Sequence, residues 1–296
     1  MQKILSGKLS GKEYWDSLYE PRRSQGSRAL SENGLKILLK KIIGPKALEY
    51  IHEYVIRSYA DYFLWDVIYK KYLPKAGGLK VLEIGSAPGE ALVRLKKEFG
   101  LVPYGLEYSR AGAELNKAAF ISHNINPDNA IYGDFFSDDF HKKYRGYFDI
   151  VISHGFIEHF TEVKDVVEKH IDLLAEEGRL IISIPNFRGI NYILAWFFHK
   201  WFLPMHNLNI MRKKAFSQIF DKKQLRFLFC GYYGVFNLGL FANKKNSYFS
   251  RAALKICYNL QLILNVIFRL SFKSGLAESG LFSPYLIFIG VKKIEK

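Results

Sequence analysis

The most constraining stretch of the sequence is residues 81–90, which read Val-Leu-Glu-Ile-Gly-Ser-Ala-Pro-Gly-Glu. An apolar run ends abruptly at Gly85, Gly89 follows four positions later, and apolar residues then recur at helical spacing. This pattern predicts a buried strand, a tight turn and a helix whose N-terminus faces any ligand at the turn. The two glycines allow close approach of backbone to ligand because they lack a Cβ.

The turn differs from a dinucleotide-binding site, because Gly-Ser-Ala-Pro-Gly does not fit the G-x-G-x-x-G spacing. A carboxylate at Glu83 would repel a pyrophosphate but suits a cationic amine. The stretch resembles motif I of class I S-adenosylmethionine-dependent methyltransferases, E/D-x-G-x-G-x-G, with Ala87 in place of the middle glycine and therefore with a negative φ expected there. The resemblance implies S-adenosylmethionine as the cofactor, bound by Glu83, Gly85, Ser86, Ala87, Pro88 and Gly89.

Two later strand ends carry acids that fit the same cofactor. Glu107 follows 24 residues after Glu83, and a carboxylate there can accept both ribose hydroxyls. The resemblance places Tyr108 against the adenine, directs Asp134 at the adenine amino group and offers the amide or ring of Phe135. The alternative for Asp134 is a plain turn residue before the next helix.

A fourth strand over residues 147–154 runs into Gly-Phe-Ile-Glu-His. It resembles the FD-x-V-x…E-H motif IV of methyltransferases that act on quinols, phenols and other small acceptors, which makes this O-methyltransferase branch the nearest. That resemblance places His154 and Gly155 beside the methionine part of the cofactor. The N/D-P-P-Y/F sequence of amino-methylating DNA and RNA enzymes is missing, which disfavours a nucleic-acid acceptor.

Alternation of buried strands with helices predicts an α/β, Rossmann-like, doubly wound sheet. The family resemblance implies seven mostly parallel strands with the last one antiparallel. We expect a helical N-terminal cap over residues 1–76, with helices over 35–43 and 47–73 and a loop over 24–31. The methyltransferase domain then covers 77–296, with a basic, aromatic-rich helical insertion at about 189–275. Residues 11–19 are similar to the "YWD…Y" opening of small-molecule methyltransferases, so Tyr14 and Trp15 either close over the cofactor or anchor the core.

An oxygen acceptor needs a base, and histidine is suited to that role because its unperturbed pKa is near 6.5. Three histidines are candidates: His154, His159, which we expect on the first turn of a helix, and His206 in the insertion. We favour His159, followed by His206, with Glu158 beside it. No metal is expected, because an adjacent Glu158 and His159 are weak grounds for one. The alternative is that Glu158 caps the helix and His159 packs in the core.

The net charge of +15 is unevenly distributed. Residues 77–188 have 13 Lys and Arg against 17 Asp and Glu, whereas residues 189–296 have 16 against 3. This tail predicts an acidic acceptor, an anionic membrane surface or another polyanion, unless its charges only solvate one face. An apolar helix over 252–270 carries five polar residues, which favour an interfacial helix, a dimer seam, an acceptor-pocket wall or a core helix over a membrane span.

Two cysteines and an N-terminus without an apolar run predict a cytoplasmic protein, and the basic, aromatic-rich tail predicts a peripheral position at the inner membrane face. The sequence as a whole predicts O-methylation of a small amphiphilic or anionic acceptor, namely a quinol, a lipid-linked intermediate or a glycan precursor. The alternatives are an RNA methyltransferase that uses the basic tail and a non-catalytic, membrane-associated cofactor-binding protein.

Overall fold

A seven-stranded sheet in the order β3-β2-β1-β4-β5-β7-β6 organises the chain. The computed structural model describes residues 7–24, 44–241, 248–271 and 278–294. The strands are β1 Lys80–Ile84, β2 Val102–Glu107, β3 Ala130–Tyr132, β4 Phe148–His154, β5 Leu174–Pro185, β6 Leu225–Tyr233 and β7 Tyr285–Lys292. Strands β1 to β5 pair in parallel, and β7 runs antiparallel to both β5 and β6. The predicted Rossmann-like sheet, with its last strand antiparallel, is confirmed.

Helices cover both faces of the sheet. They are α1 Lys12–Ser24, α2 Pro45–Ile51, α3 Tyr59–Tyr62, α4 Lys70–Tyr72, α5 Glu90–Phe99, α6 Arg110–Ser122, α7 Asp138–Tyr144, α8 Val163–Asp172, α9 Ile190–His199, α10 Lys213–Ser217 and α11 Tyr248–Ser271. Because successive strand residues point to opposite faces, Leu82 and Ile84 join one core cluster and Val81 the other. The central strands are therefore apolar on both sides, as parallel sheets require.

The single long helix expected over 47–73 is wrong. After α2 a π-helical turn, His52–Ile56, leads to an extended pair at Arg57 and Ser58, with ψ values of 122° and 147°. The hydroxyl of Ser58 accepts a hydrogen bond from the amide of Asp61 at 3.1 Å and so caps a new helix. The helix predicted over 35–43 and most of the 24–31 loop lie outside the described residues; Ser24 itself ends α1.

The segment expected as a helical insertion contains an edge strand of the sheet. Strand β6 pairs with β7 from Leu225 to Tyr233, with a register shift between Phe227 and Phe229. Its aromatic, half-buried residues do not alternate cleanly between apolar and polar, because an edge strand under neighbouring elements is covered unevenly. Within the described ranges, α11 included, no helix has both the length and the apolar character needed to cross a bilayer.

Candidate functional site

A first cavity of about 260 Å³ lies where β1, β2 and β4 end. The carboxyl edge of parallel strands is the usual ligand position in open α/β sheets. Ten of the fourteen residues predicted from the sequence for cofactor binding line it: Trp15, Glu83, Gly85, Ala87, Glu107, Tyr108, Asp134, Phe135, His154 and Gly155. The remaining four, which do not line this cavity, are Tyr14, Ser86, Pro88 and Gly89.

The glycine turn after β1 has the predicted conformation. Gly85 and Gly89 have φ values of 73° and 94°, whereas Ala87 is not among the residues of positive φ. Gly89 precedes the first residue of α5 as its N-cap. Ser86 is buried, and its Oγ accepts a hydrogen bond from Nδ2 of Asn116 at 2.6 Å. The side chain of Ser86 thus fixes the turn from behind.

Sequence reasoning missed the partner of that turn, Asn116 on α6. A Cβ at Gly105 of β2 would lie 2.3 Å from Nδ2 of Asn116 and 2.5 Å from Oγ of Ser86. A side chain at position 105 would therefore force Asn116 and Ser86 to shift. Helical periodicity alone gives no signal for Asn116, because it reads as one polar residue on an amphipathic helix.

Two buried carboxyl groups face this cavity. Glu107 is held by backbone amides: its Oε1 accepts from Ser109 at 2.8 Å and its Oε2 from Ala87 at 3.2 Å. Burial raises the pKa of Glu107, and these amide hydrogen bonds oppose the rise. Burial, reinforced by the charge of Glu107, raises the pKa of Glu83 to about 8.

Glu83 has an unsatisfied buried oxygen, because its Oε2 finds no hydrogen-bond partner in the described part of the chain. Such an atom is costly unless a ligand pairs with it. A carboxylate in this position fits a cationic ammonium group, and the fixed carboxylate of Glu107 fits a pair of hydroxyls. Both acids therefore fit polar groups of S-adenosylmethionine, namely its ammonium group and its ribose hydroxyls.

The adenine end of the predicted site lies at the third strand. Asp134 lines the cavity, and its Oδ1 accepts a hydrogen bond from the amide of Phe136 at 3.0 Å. Phe135 is buried, with its ring edge-on to Phe156 at a centroid distance of 5.3 Å. The ring of Tyr108 has the ammonium of Lys8 at 4.7 Å from its centroid. Asp134 thus serves the turn and the cavity at once.

The N-terminal segment is fastened across the cavity. The amide of Leu9 donates to the carbonyl of His159 at 2.8 Å, and Oγ of Ser109 donates to Asp16 at 2.6 Å. Trp15 packs edge-on against His159 with centroids 5.2 Å apart. Lys8, Ser10 and Tyr19 also line this cavity but lie outside the residues proposed from the sequence.

A second cavity of about 540 Å³ adjoins the first. The two share four wall residues: Trp15, His154, Gly155 and His159. Apolar walls come from Leu18, Leu64, Ile184, Phe187, Phe202 and Leu240, and polar ones include Ser183, Tyr233, Asn237 and Tyr285. Tyr14 lines this second cavity rather than the first. No lysine or arginine is among the described residues that line it.

All three predicted catalytic residues meet in this second cavity. The rings of His159 and His206 have centroids 4.5 Å apart, and Nε2 of His159 lies 3.9 Å from Oε1 of Glu158. His159 lies in a 3₁₀ turn, Ile157–His159, and α8 begins only at Val163, so its placement on the first turn of a helix is wrong. The alternative in which Glu158 caps that helix fails for the same reason.

Backbone carbonyls set the tautomers of both imidazoles. Nδ1 of His159 lies 2.8 Å from the carbonyl of Met205, and Nδ1 of His206 lies 2.9 Å from that of Phe202. A carbonyl oxygen only accepts, so each neutral ring carries its proton on Nδ1 and keeps a lone pair on Nε2. Burial lowers the pKa of His159 to about 4 and that of His206 to about 3.

Glu158 is the acidic member of the cluster. Burial raises its pKa to about 8, and its Oε2 has no hydrogen-bond partner within the described residues. One ligand-type atom from each of Glu158, His159 and His206 lies within 4.8 Å of the other two. The donor set is one that a divalent cation accepts. It is equally a set of basic atoms that can take a proton from an acceptor.

His154, the third candidate histidine, is tied to the helical cap. Its Nε2 lies 2.7 Å from the hydroxyl of Tyr69, and burial lowers its pKa to about 4. It lines both cavities. The described residues of the cap therefore position a residue at the junction of the two cavities.

Comparison with known proteins agrees with this geometry. A family profile described as a methyltransferase domain matches residues 51–229. The fold is similar to that of phosphoethanolamine N-methyltransferase 2 of Haemonchus contortus, solved with S-adenosyl-L-methionine, at a TM-score of 0.51 and 15% identity over 86% of this chain and 59% of that one. The same Haemonchus contortus enzyme, solved with phosphomonomethylethanolamine and S-adenosylhomocysteine, gives a TM-score of 0.50 and 14% identity. That comparison also covers 86% of this chain and 59% of the other.

A similar fold also occurs in the cyclase SpnF, at a TM-score of 0.50 and 11% identity over 78% of this chain and 81% of that one. The chain spans only 59% of the length of the Haemonchus contortus N-methyltransferase. No protein of curated function matches the sequence. At these identities the structural similarities establish the fold.

Proposed function

The chain belongs to the methyltransferase family whose domain matches residues 51–229, and from that membership we propose that it methylates a hydroxyl group of an amphiphilic acceptor. S-adenosylmethionine is the cofactor. It supplies a methyl group already activated on a sulfonium, so the protein has chiefly to hold the acceptor oxygen in line and to remove its proton.

In this proposal the first cavity holds the cofactor. The orphaned carboxyl of Glu83 would pair with the ammonium group, and the amide-fixed carboxylate of Glu107 would accept the ribose hydroxyls. Tyr108 and Asp134 would border the adenine. Trp15, fastened over the cavity with α1, would exclude water from the reacting centre.

The second cavity would hold the acceptor. Its apolar walls and scattered hydroxyl and amide groups fit an aromatic or isoprenoid-like body with a few polar substituents. Since neither lysine nor arginine is among its described lining residues, an anionic group inside it would lack a counter-charge. A quinol or a lipid-linked phenolic compound therefore fits better than a free anionic acceptor.

The observation that carries the proposal is the position of His159. Its ring lies in the wall common to both cavities, with Nδ1 held by a carbonyl and Nε2 left as the basic atom. An acceptor hydroxyl beside Nε2 would give up its proton there while its oxygen bonds to the methyl carbon and the bond from that carbon to sulfur breaks, with S-adenosylhomocysteine as the leaving group. Ionised Glu158, 3.9 Å away, would stabilise the resulting imidazolium, with His206 bounding the site.

The test is methyl transfer from methyl-labelled S-adenosylmethionine to a panel of quinols, phenols, lipid-linked compounds, glycan precursors and RNA. We expect label on an ether oxygen of a quinol or lipid-linked phenol, and activity that survives chelation. Label on nitrogen or in RNA would contradict the proposal. Tight cofactor binding without transfer would favour the non-catalytic alternative, and activity lost on chelation but restored by a divalent metal would reassign the histidine cluster to a cation.

A further inference from the structure

Two polar residues in the middle of helix α11 point inward. Gln261 and Asn265 are buried, with 4% and 1% of their surfaces exposed. Oε1 of Gln261 accepts from the amide of Leu238 at 2.7 Å, and Asn265 bonds to backbone atoms of Tyr59 and Val55. Because these polar side chains bond to the protein, the apolar residues of the helix are left on its outer side.

That outer side is a continuous apolar stripe. Five aliphatic residues at alternating spacings of four and three are 44–71% exposed: Ile256, Leu260, Ile263, Ile267 and Leu270. Such spacing places them in one row along the helix. A helix that faces water normally exposes polar residues and buries apolar ones. An exposed apolar stripe therefore indicates an interaction surface.

Helix α9 and the turn after it add an aromatic surface nearby. Its exposed residues, 44–64% accessible, are Tyr192, Ile193, Trp196, Phe197 and Trp201. Both α9 and α11 pack against the short turn Leu238–Phe241. We call the ten exposed residues named above, five on α11 and five on α9 and the turn that follows it, the docking face. Tryptophan and tyrosine are the residues typical of the boundary between a bilayer and water.

The docking face borders the acceptor cavity. The turn Leu238–Phe241, on which both helices pack, contributes Leu240 to the cavity wall. Phe202, another wall residue, directly follows the exposed Trp201, whose ring lies 6.4 Å from that of Tyr14. Both helices of the docking face thus pack on a turn that contributes to the cavity wall, and Trp201 adjoins the wall residue Phe202.

The sequence that carries the docking face is predominantly basic, although one acid from outside it, Glu53, pairs with Arg269 of α11 at 3.0 Å. Residues 190–271 contain twelve lysines and arginines and a single acid, Asp221. The ammonium of Lys200 lies 5.3 Å from the ring of Trp196, and Lys255 is exposed on α11. Apolar and aromatic residues flanked by cations match a negatively charged lipid surface.

We propose that α9 and α11 lie in the surface of an anionic membrane and that the acceptor enters the second cavity from the bilayer. The entry of the acceptor from the bilayer rests on the proposed function, whereas the binding of α9 and α11 to the membrane does not. A second copy of the chain fits less well, because pairing two docking faces would bring two cationic surfaces together with no described acid on either helix to offset them.

Flotation of the full chain with vesicles tests the proposal. We expect binding to an equal mixture of phosphatidylcholine and phosphatidylglycerol that exceeds binding to phosphatidylcholine alone about tenfold or more and that fades with salt. Ile263→Glu should reduce binding about tenfold or more, since it places a charge in the apolar layer. The matched control is Ile121→Glu on α6, because Ile121 and Ile263 are 60% and 59% exposed. Trp196→Ala on α9 gives an independent loss.

Failure to bind, equal binding to neutral vesicles, or equal effects of Ile263→Glu and Ile121→Glu would overturn the proposal. A dimer that Ile263→Glu dissociates would identify a second copy as the partner and would overturn it too. Methylation of a water-soluble phenol, assayed without vesicles, tests the proposed function independently of membrane binding. Ile263→Glu should leave that reaction unchanged, and vesicle binding is measured without any acceptor.

Discussion

The two cavities contrast in how the chain builds them. Most of the first cavity comes from residues at or just after the ends of β1, β2, β3 and β4, one short segment per strand. The wall of the second draws on segments scattered between Tyr14 and Tyr285, including the 3₁₀ turns near His206 and Leu240. In the proposed assignment, the ends of the strands therefore position the cofactor, whereas the connections between the elements determine the acceptor.

The contrast also has an electrostatic side. Glu83 and Glu107 make the cofactor cavity acidic, and the N-terminal segment above it brings Lys8. The second cavity, which Asp61 also lines, contains one cluster of three titratable groups, in which burial raises the pKa of Glu158 and lowers those of His159 and His206. Groups whose pKa values are pushed apart in this way are characteristic of acid–base sites.

The largest expected effect separates the two cavities by catalysis. His159→Ala should lower kcat by about 10²- to 10⁴-fold, because a general base is removed, and should leave cofactor affinity unchanged. Steady-state kinetics on the acceptor found in the screen measure this. The control is His141→Ala, a histidine on α7 that lines neither cavity and bonds to the carbonyl of Phe135; equal losses in both variants would remove His159 from the reaction.

A second expected effect concerns the glycine behind the cofactor turn. Gly105→Ala should destabilise the protein by about 1–3 kcal/mol, because the added methyl group overlaps Asn116 and Ser86. Gly133→Ala, whose Cβ would meet nothing closer than 3.4 Å, is the matched control. Denaturant unfolding measures the free energy of unfolding of both variants. Equal values would contradict the prediction and show that Asn116 and Ser86 shift at little cost.

The pH dependence of turnover should report Glu158. Its raised pKa of about 8 means that the carboxyl is mostly protonated at neutral pH. Since the ionised form is the one that stabilises an imidazolium on His159, kcat should rise with pH through about 8. In Glu158→Gln that rise should disappear. A rise of unchanged midpoint in the variant would mean that another group, or the acceptor itself, is titrating.

The smallest expected effect is the release of a proton from Glu83 when the cofactor binds. Free Glu83 is mostly protonated below about pH 8, whereas a bound ammonium group favours its ionised form. Cofactor binding at neutral pH should therefore release up to about one proton. Calorimetry in buffers of different ionisation enthalpy measures that proton, and Glu83→Gln should release none. Proton uptake by the wild-type protein would contradict the pairing.

Sequence reasoning succeeded where one short segment specifies the local structure, whereas the binding roles of its residues stay predictions. The glycine turn directly follows β1, and the acids Glu83, Glu107 and Asp134 lie at or near the ends of β1, β2 and β3, as their spacing predicts. The doubly wound sheet follows from the alternation of strands with helices, whereas its antiparallel last strand was implied by the family resemblance.

Prediction failed where a feature depends on distant residues. Asn116 matters only because β2 passes beneath it at Gly105, and the break at Ser58 depends on a cap that a helical pattern conceals. The meeting of His206 with His159 depends on the fold of residues 187–210, which has no readable period. Strand β6 was missed because its half-buried residues do not alternate.

The most direct test of this division into two cavities is titration calorimetry with S-adenosylmethionine and S-adenosylhomocysteine on three proteins. We expect the wild type and His159→Ala to bind both compounds equally well. Glu107→Ala should bind about 1.5–3 kcal/mol more weakly, which is tenfold or more, because a charged hydrogen-bond acceptor is lost. If His159→Ala lost as much affinity as Glu107→Ala, or if the wild type bound neither compound, the account of separate cofactor and acceptor cavities would be wrong.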